Sequence, residues 1–144
     1  MGRFLFVSPC LLFVVFSLNE IGANCHCPFN WFPHNAFCYK LFTSWKTWDQ
    51  AQRFCMEKQE NCQLASINDV GESVELSKYI SQRWKIGDIW IGLRLSKRKS
   101  NWEWNDGSNL TYTSWEKGEP NNFLNMEFCA VLSPRSWYLQ WNDK

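Results

Sequence analysis

The sequence predicts an α+β domain: two helices, antiparallel strands and one long functional loop. Three observations carry that prediction. Residues 47–55 and 69–80 repeat apolar side chains at helical spacing behind capping signals. Short apolar runs such as IWIGL at 89–93 suit buried strands. From 104 to 128 periodicity disappears and glycine, asparagine and acids take over, the mark of a binding loop when aromatic anchors accompany it.

The elements follow in order. AFCYKLF (36–42) alternates as a strand does. Thr47 and Gln50 form a capping box, and Trp48, Ala51, Phe54 and Cys55 then share one helical face. QLASI (63–67) reads as a short strand. Asp69 with Glu72 opens a second helix carrying Val70, Val74, Leu76 and Ile80. IWIGL, WEW (102–104), FCAVL (128–132) and WYLQW (137–141) are further strands. Trp115, Tyr112 and Phe123 are the expected anchors of the loop. Arg94, Lys97, Arg98 and Lys99 form a solvated basic turn.

With 144 residues the chain holds one domain. Fifteen basic against fourteen acidic residues leave a net charge of +1, which excludes the dominant basic face of a nucleic-acid binder. The N-terminus reads as a secretory leader, residues 1–23. Arg3 precedes the apolar run FLFVSPCLLFVVF, and small residues at 21–23 permit cleavage after Ala23. That run is too short, and too soon interrupted by Pro9 and SLNE, for a membrane anchor. The mature chain, 24–144, is therefore expected to be secreted without membrane insertion. Its cysteines are expected in disulfides, since no paired CxxC suggests a thiolate metal site. The sequon Asn109-Leu110-Thr111 is a candidate N-glycan site.

The loop and the chain end carry the candidate chemistry. Glu119, Asn121, Glu127, Asn142 and Asp143 are all oxygen donors, and calcium takes six to eight oxygens. No histidine lies beside them in sequence, which disfavours zinc and copper. Between Glu119 and Asn121 stands Pro120, where a cis bond is inexpensive and would turn the flanking oxygens toward one point. A carboxylate accepts and an amide nitrogen donates, so each acid–amide pair can serve one hydroxyl as both acceptor and donor.

The segments CPFNWFPHNAFCYK, FCMEKQENCQLASI, WIGL, WEW, EPN, EFCAVL and WND, in that order, resemble a C-type lectin carbohydrate-recognition domain. With the opening MGRFLFVS they are most similar to the mannose-type C-type lectins of snake venoms. The resemblance implies the C-type lectin-like fold and a Ca2+ cofactor held by Glu119, Asn121, Glu127, Asn142 and Asp143, the same residues reading the sugar. EPN implies mannose-type glycans of cell-surface glycoproteins or glycolipids as partners, with agglutination of cells. It implies a Cys27–Cys38 disulfide, and leaves Cys55, Cys62 and Cys129 without the mates that family members carry beyond the position of Lys144. Cys25 is an extra. On that comparison the chain is C-terminally truncated, lacking the final strand, and Asp143 is expected to fray. The family's inter-subunit cysteine falls at Asn109, so an oligomer would not be linked there.

Two other functions compete with this one. A sugar-independent venom module acting on haemostatic proteins or platelet receptors would need no intact ligand set. A glycosidase would use Glu119 and Glu127 as its acid pair, but the calcium reading accounts for them, so no enzyme is expected.

Overall fold

A computed structural model describes residues 27–58, 62–97 and 100–144. The leader, Cys25 and His26, and Arg98 and Lys99 of the basic cluster lie outside the described residues. In chain order come β1 (Phe32–His34), β2 (Phe37–Tyr39), α1 (Trp48–Lys58), α2 (Val70–Arg83), β3 (Ile89–Leu95), β4 (Trp102–Trp104), β5 (Cys129–Leu132) and β6 (Trp141–Asp143). β1 and β2 form an antiparallel hairpin, and β4-β3-β5-β6 an antiparallel sheet of four. The architecture is α+β, with two helices and antiparallel sheets.

Both faces of the central strands are covered. Ile89, Ile91 and Leu93 of β3, with Ala130 and Leu132 of β5, join Leu76, Tyr79 and Ile80 of α2 in one core cluster. Trp90 and Val131, alternating with them, join Trp48, Ala51 and Cys55 of α1 in another. That is why IWIGL is continuously apolar although its sheet is antiparallel: neither face meets water.

Helix starts follow their sequence signals. Thr47 N donates to Gln50 Oε1 at 3.0 Å and Gln50 N to Thr47 Oγ1 at 3.3 Å, closing the capping box. Asp69 caps α2 by accepting from Glu72 N at 2.8 Å. Val70, expected on the buried face, is instead 65% exposed, while Glu72 is buried. As the first residue of the helix Val70 points outward. The Glu72 carboxylate folds back to accept from Asn68 N at 2.8 Å and from the Tyr39 hydroxyl.

Three expected strands are corrected. QLASI is buried but is no strand; its backbone bonds are met singly, Ala65 O accepting from Gly92 N at 2.8 Å and Leu64 N donating to Gln52 Oε1 at 3.1 Å. WYLQW is mostly turn. Ser133 accepts Arg135 N on its hydroxyl, and its carbonyl accepts Tyr138 N at 2.9 Å. Trp137 and Tyr138 then take left-handed φ of 55° and 66°, so pairing begins only at Trp141. AFCYKLF shrinks to the three residues of β2. Arg94 is also no part of a solvated turn, because it lies on β3 with its guanidinium over the Trp48 ring.

Candidate functional site

The long loop is fastened along β6, the edge strand. Trp115 bridges Trp141, Glu116 N donates to Trp141 O at 2.8 Å, and Trp141 N donates to Ser114 O at 2.7 Å. Tyr112 and Trp115 meet the Trp141 ring edge-on at 5.8 and 5.6 Å. Tyr112 and Trp115 are therefore anchors, as their aromatic character implies. Phe123 is not: it is 64% exposed, as are its neighbours Leu124 (72%) and Met126 (71%). A single 3-10 turn, Phe123–Asn125, holds this tip too far out to pack against the sheet.

The Glu119–Pro120 peptide bond is cis. Beyond it, Asn121 N donates to both Glu119 Oε2 (3.1 Å) and Asp143 Oδ1 (3.0 Å). Two carboxylates thus converge on one amide hydrogen. Partial desolvation first, then the hydrogen bond and like charge of Asp143, hold the Glu119 carboxyl above its ordinary range, with Asn121 opposing. A pair of acids so placed gains from a cation of matching hardness, and oxygen donors suit calcium rather than zinc.

The other expected ligands are placed differently. Glu127 Oε2 accepts from Phe123 N at 2.8 Å, so this acid secures the loop tip. Asn142 sits next to Asp143 on β6, half-buried, and its amide has no hydrogen bond within the described residues. Among the described residues no three acids or histidines close into a cation-sized group. The site brings Glu119, Asn121 and Asp143 together and leaves Glu127 one backbone amide away. Of the histidines, His34 is on β1, bonded to Asn35.

Asp143 was expected to fray, and this is corrected. It is fully buried, and Lys144 continues the pairing, its N donating to Cys129 O at 2.7 Å and its O accepting from Cys129 N at 3.1 Å. The sequence reading missed Asn122. Its N donates to Asp143 Oδ2 at 2.7 Å, its Oδ1 accepts from Glu127 N at 3.1 Å, and its φ is 45°. The signal was present, since asparagine is the non-glycine residue that best tolerates a left-handed turn.

Cys27 and Cys38 are disulfide-bonded. Cys55 and Cys62 are buried and Cys129 half-buried, all three as free thiols in the cluster under α1. Burial first, and the neighbouring Cys62 second, push the Cys55 thiol far up. Burial first raises Cys62 and Cys129 as well, with the Asp49 charge adding to it for Cys129, and each is pushed up to about 12. Asn109 is exposed, as a glycan acceptor must be.

Residues 44–144 match the family described as the lectin C-type domain. The chain belongs to the C-type lectin family. It is 71% identical over its whole length to "C-type lectin 1" of Hydrophis hardwickii, covering 88% of that protein. It is 45% identical to a "C-type lectin mannose-binding isoform" of Notechis scutatus scutatus and 46% to a "C-type lectin galactose-binding isoform" of Pseudechis australis, in both cases over 99% of the chain and 90% of the relative. Among solved structures, the C-type lectin CEL-I from Cucumaria echinata superposes with a TM-score of 0.78 at 27% identity, over 83% of this chain and 89% of that one. C-type lectins are non-enzymatic, carbohydrate-binding proteins, so the chain is no enzyme and the glycosidase reading falls. With these relatives it is a secreted protein, and no described helix is long and apolar enough to cross a membrane.

Proposed function

We propose that this C-type lectin binds mannose-type glycans of cell surfaces in a calcium-dependent way, through Glu119, Asn121, Glu127, Asn142 and Asp143. The observation that carries the reading is the convergence of Glu119 and Asp143 on Asn121 N. Repulsion between those carboxylates is what a divalent ion would offset, and such an ion would supply a Lewis-acidic partner for sugar hydroxyls. Glu119 and Glu127 accept from those hydroxyls while the amides of Asn121 and Asn142 donate to them. Glu127 keeps Phe123 N on Oε2, and its other oxygen is the one available to the ion.

Relatives of nearly equal identity are named for mannose and for galactose, so overall similarity does not choose the sugar. The acid–proline–amide order at 119–121 is what favours mannose. Binding at one site should be weak, and agglutination would need several sites together. Retention on immobilised mannose, eluted by chelator and spared by galactose, is the expected result. Retention unchanged by chelator would favour the sugar-independent module instead.

A further inference from the structure

The tip of the long loop holds three large apolar side chains out in solvent: Phe123, Leu124 and Met126. Apolar residues exposed singly are ordinary, but a group of them marks a surface that meets something else. The backbone beneath them is strained to keep them there. Leu124 has a φ of 55°, between Asn122 at 45° and Asn125 at 56°. Asparagine tolerates that left-handed region, whereas leucine is seldom found in it, and strain of this kind gathers at functional segments.

The turn is also fixed in place. Asn125 N donates to Asn122 O at 2.8 Å and Met126 N to Phe123 O at 3.1 Å. Phe123 N donates to Glu127 Oε2 at 2.8 Å, and Asn122 N to Asp143 Oδ2 at 2.7 Å. Two of the proposed calcium ligands therefore hold the tip directly, and a sugar bound to them would lie beside it. The tip itself, residues 122–126, carries no charge, and the nearest charged residues on either side in sequence are the acids Glu119 and Glu127.

Those features choose the occupant. Acids beside the tip disfavour an anionic surface, and a protruding turn cannot bury three side chains against a flat, rigid protein face. An uncharged lipid surface yields around it, takes up the apolar groups and leaves the asparagine amides at the headgroup level. On the calcium-dependent sugar reading above, the partner that puts a glycan next to such a phase is a glycolipid; a glycoprotein sets its sugars on peptide. We infer that the lectin's targets are neutral membrane glycolipids, the sugar headgroup taken by the calcium site while Phe123, Leu124 and Met126 enter the bilayer surface beside it.

The test compares two surfaces that carry the same mannosyl group at matched density, in calcium. One is a phosphatidylcholine vesicle containing a mannosyl lipid; the other is mannosylated albumin on beads. The parent protein should bind the vesicles at least tenfold more tightly. The double variant Leu124→Ser with Met126→Ser changes only exposed side chains outside the proposed ligand set. It should bind albumin as the parent does and lose the preference for vesicles. Adding phosphatidylserine to the vesicles should bring no gain. Chelator-sensitive binding to albumin without a preference for vesicles, or a preference that the double variant keeps, would overturn the inference and leave the calcium-dependent sugar reading standing. Binding to neither surface in calcium would overturn that reading, and this inference with it.

Discussion

Asp143 and Asn122 are joined by a 2.7 Å hydrogen bond across a sequence separation of 21. Asp143 Oδ1 accepts at the same time from Asn121 N, so one buried carboxylate sets the backbone of the loop. In Asp143→Asn the amide end would face one of these N–H groups, donor against donor. Hydrogen bonds to charged groups are worth about 1.5–3 kcal/mol. The variant should lose about 2 kcal/mol in urea unfolding, and calorimetry should find calcium affinity down by at least tenfold. Unchanged stability would mean that the bond contributes nothing net.

The double exchange Glu119→Gln with Asn121→Asp keeps total charge and nearly the volume. Calcium should still bind, while mannose meets donors where acceptors are needed, at a cost of about 1–3 kcal/mol. Mannose binding should fall at least tenfold, which corresponds to about 1.4 kcal/mol, with galactose gaining relative to it. Competition for immobilised mannose by each free sugar measures the ratio. An unaltered preference would show that this motif is not the selector.

Trp115 and Phe123, both aromatic residues of the loop, should behave differently. Trp115→Ala removes the ring packed on Trp141, and large aromatic deletions in packed surroundings cost about 3–5 kcal/mol; a loss near 3 is expected for this half-buried case. Phe123→Ser, at a side chain 64% exposed, should stay within about 0.5 kcal/mol. Thermal unfolding of both variants decides the matter.

Gly92 has no room for a side chain. A methyl group there would stand 2.1 Å from Asn105 Oδ1 and 2.7 Å from Leu64 O. The first contact can move, but the second is backbone of the buried segment under α1. Gly92→Ala should destabilise by about 1–3 kcal/mol, the usual range for overpacking, and disturb the hydrogen bond that Asn105 Nδ2 donates to Gln52 Oε1. A Tm equal to that of the parent protein would contradict the close approach.

The raised thiols fix a pH dependence. Below pH 9 folded and unfolded chains both keep Cys62 and Cys129 protonated, so neither affects stability. As pH rises from about 9 toward 12 the unfolded chain ionises them while the folded chain does not, so stability falls through that window. For the same reason iodoacetamide at pH 8 should modify them far more slowly in the native protein than in denaturant. Equal rates would place these thiols at the surface.

Local chemistry decided how much was legible in advance. Capping at Thr47 and Asp69 was readable because it depends on residues three apart. β3 was readable because burial on both faces leaves an unbroken apolar run. WYLQW misled because two aromatic residues sit in left-handed turns that only Ser133 and the neighbouring turn impose, and β propensity says nothing of that. Of the site, the oxygen donors could be collected by residue type. Their pairing could not, because Asp143, the acceptor that Asn121 N and Asn122 N share, lies on β6, beyond the reach of any sequence window. Asn122 was missed because one of its two bonds leaves from its own backbone N–H and the other ends on the Glu127 backbone, and residue type reveals neither.

Because β6 carries Asn142 and Asp143 on a sheet edge sealed by the Trp115–Trp141 bridge, access to the site and integrity of that edge share one clock. On the proposed function an ion held there would be no more persistent than the seal, since an opening that exposed the Trp141 amide to solvent would also scatter the donors. Residence time rather than affinity is then where Trp115 and Trp141 would enter recognition: they would set how long a captured glycan stays, without touching it.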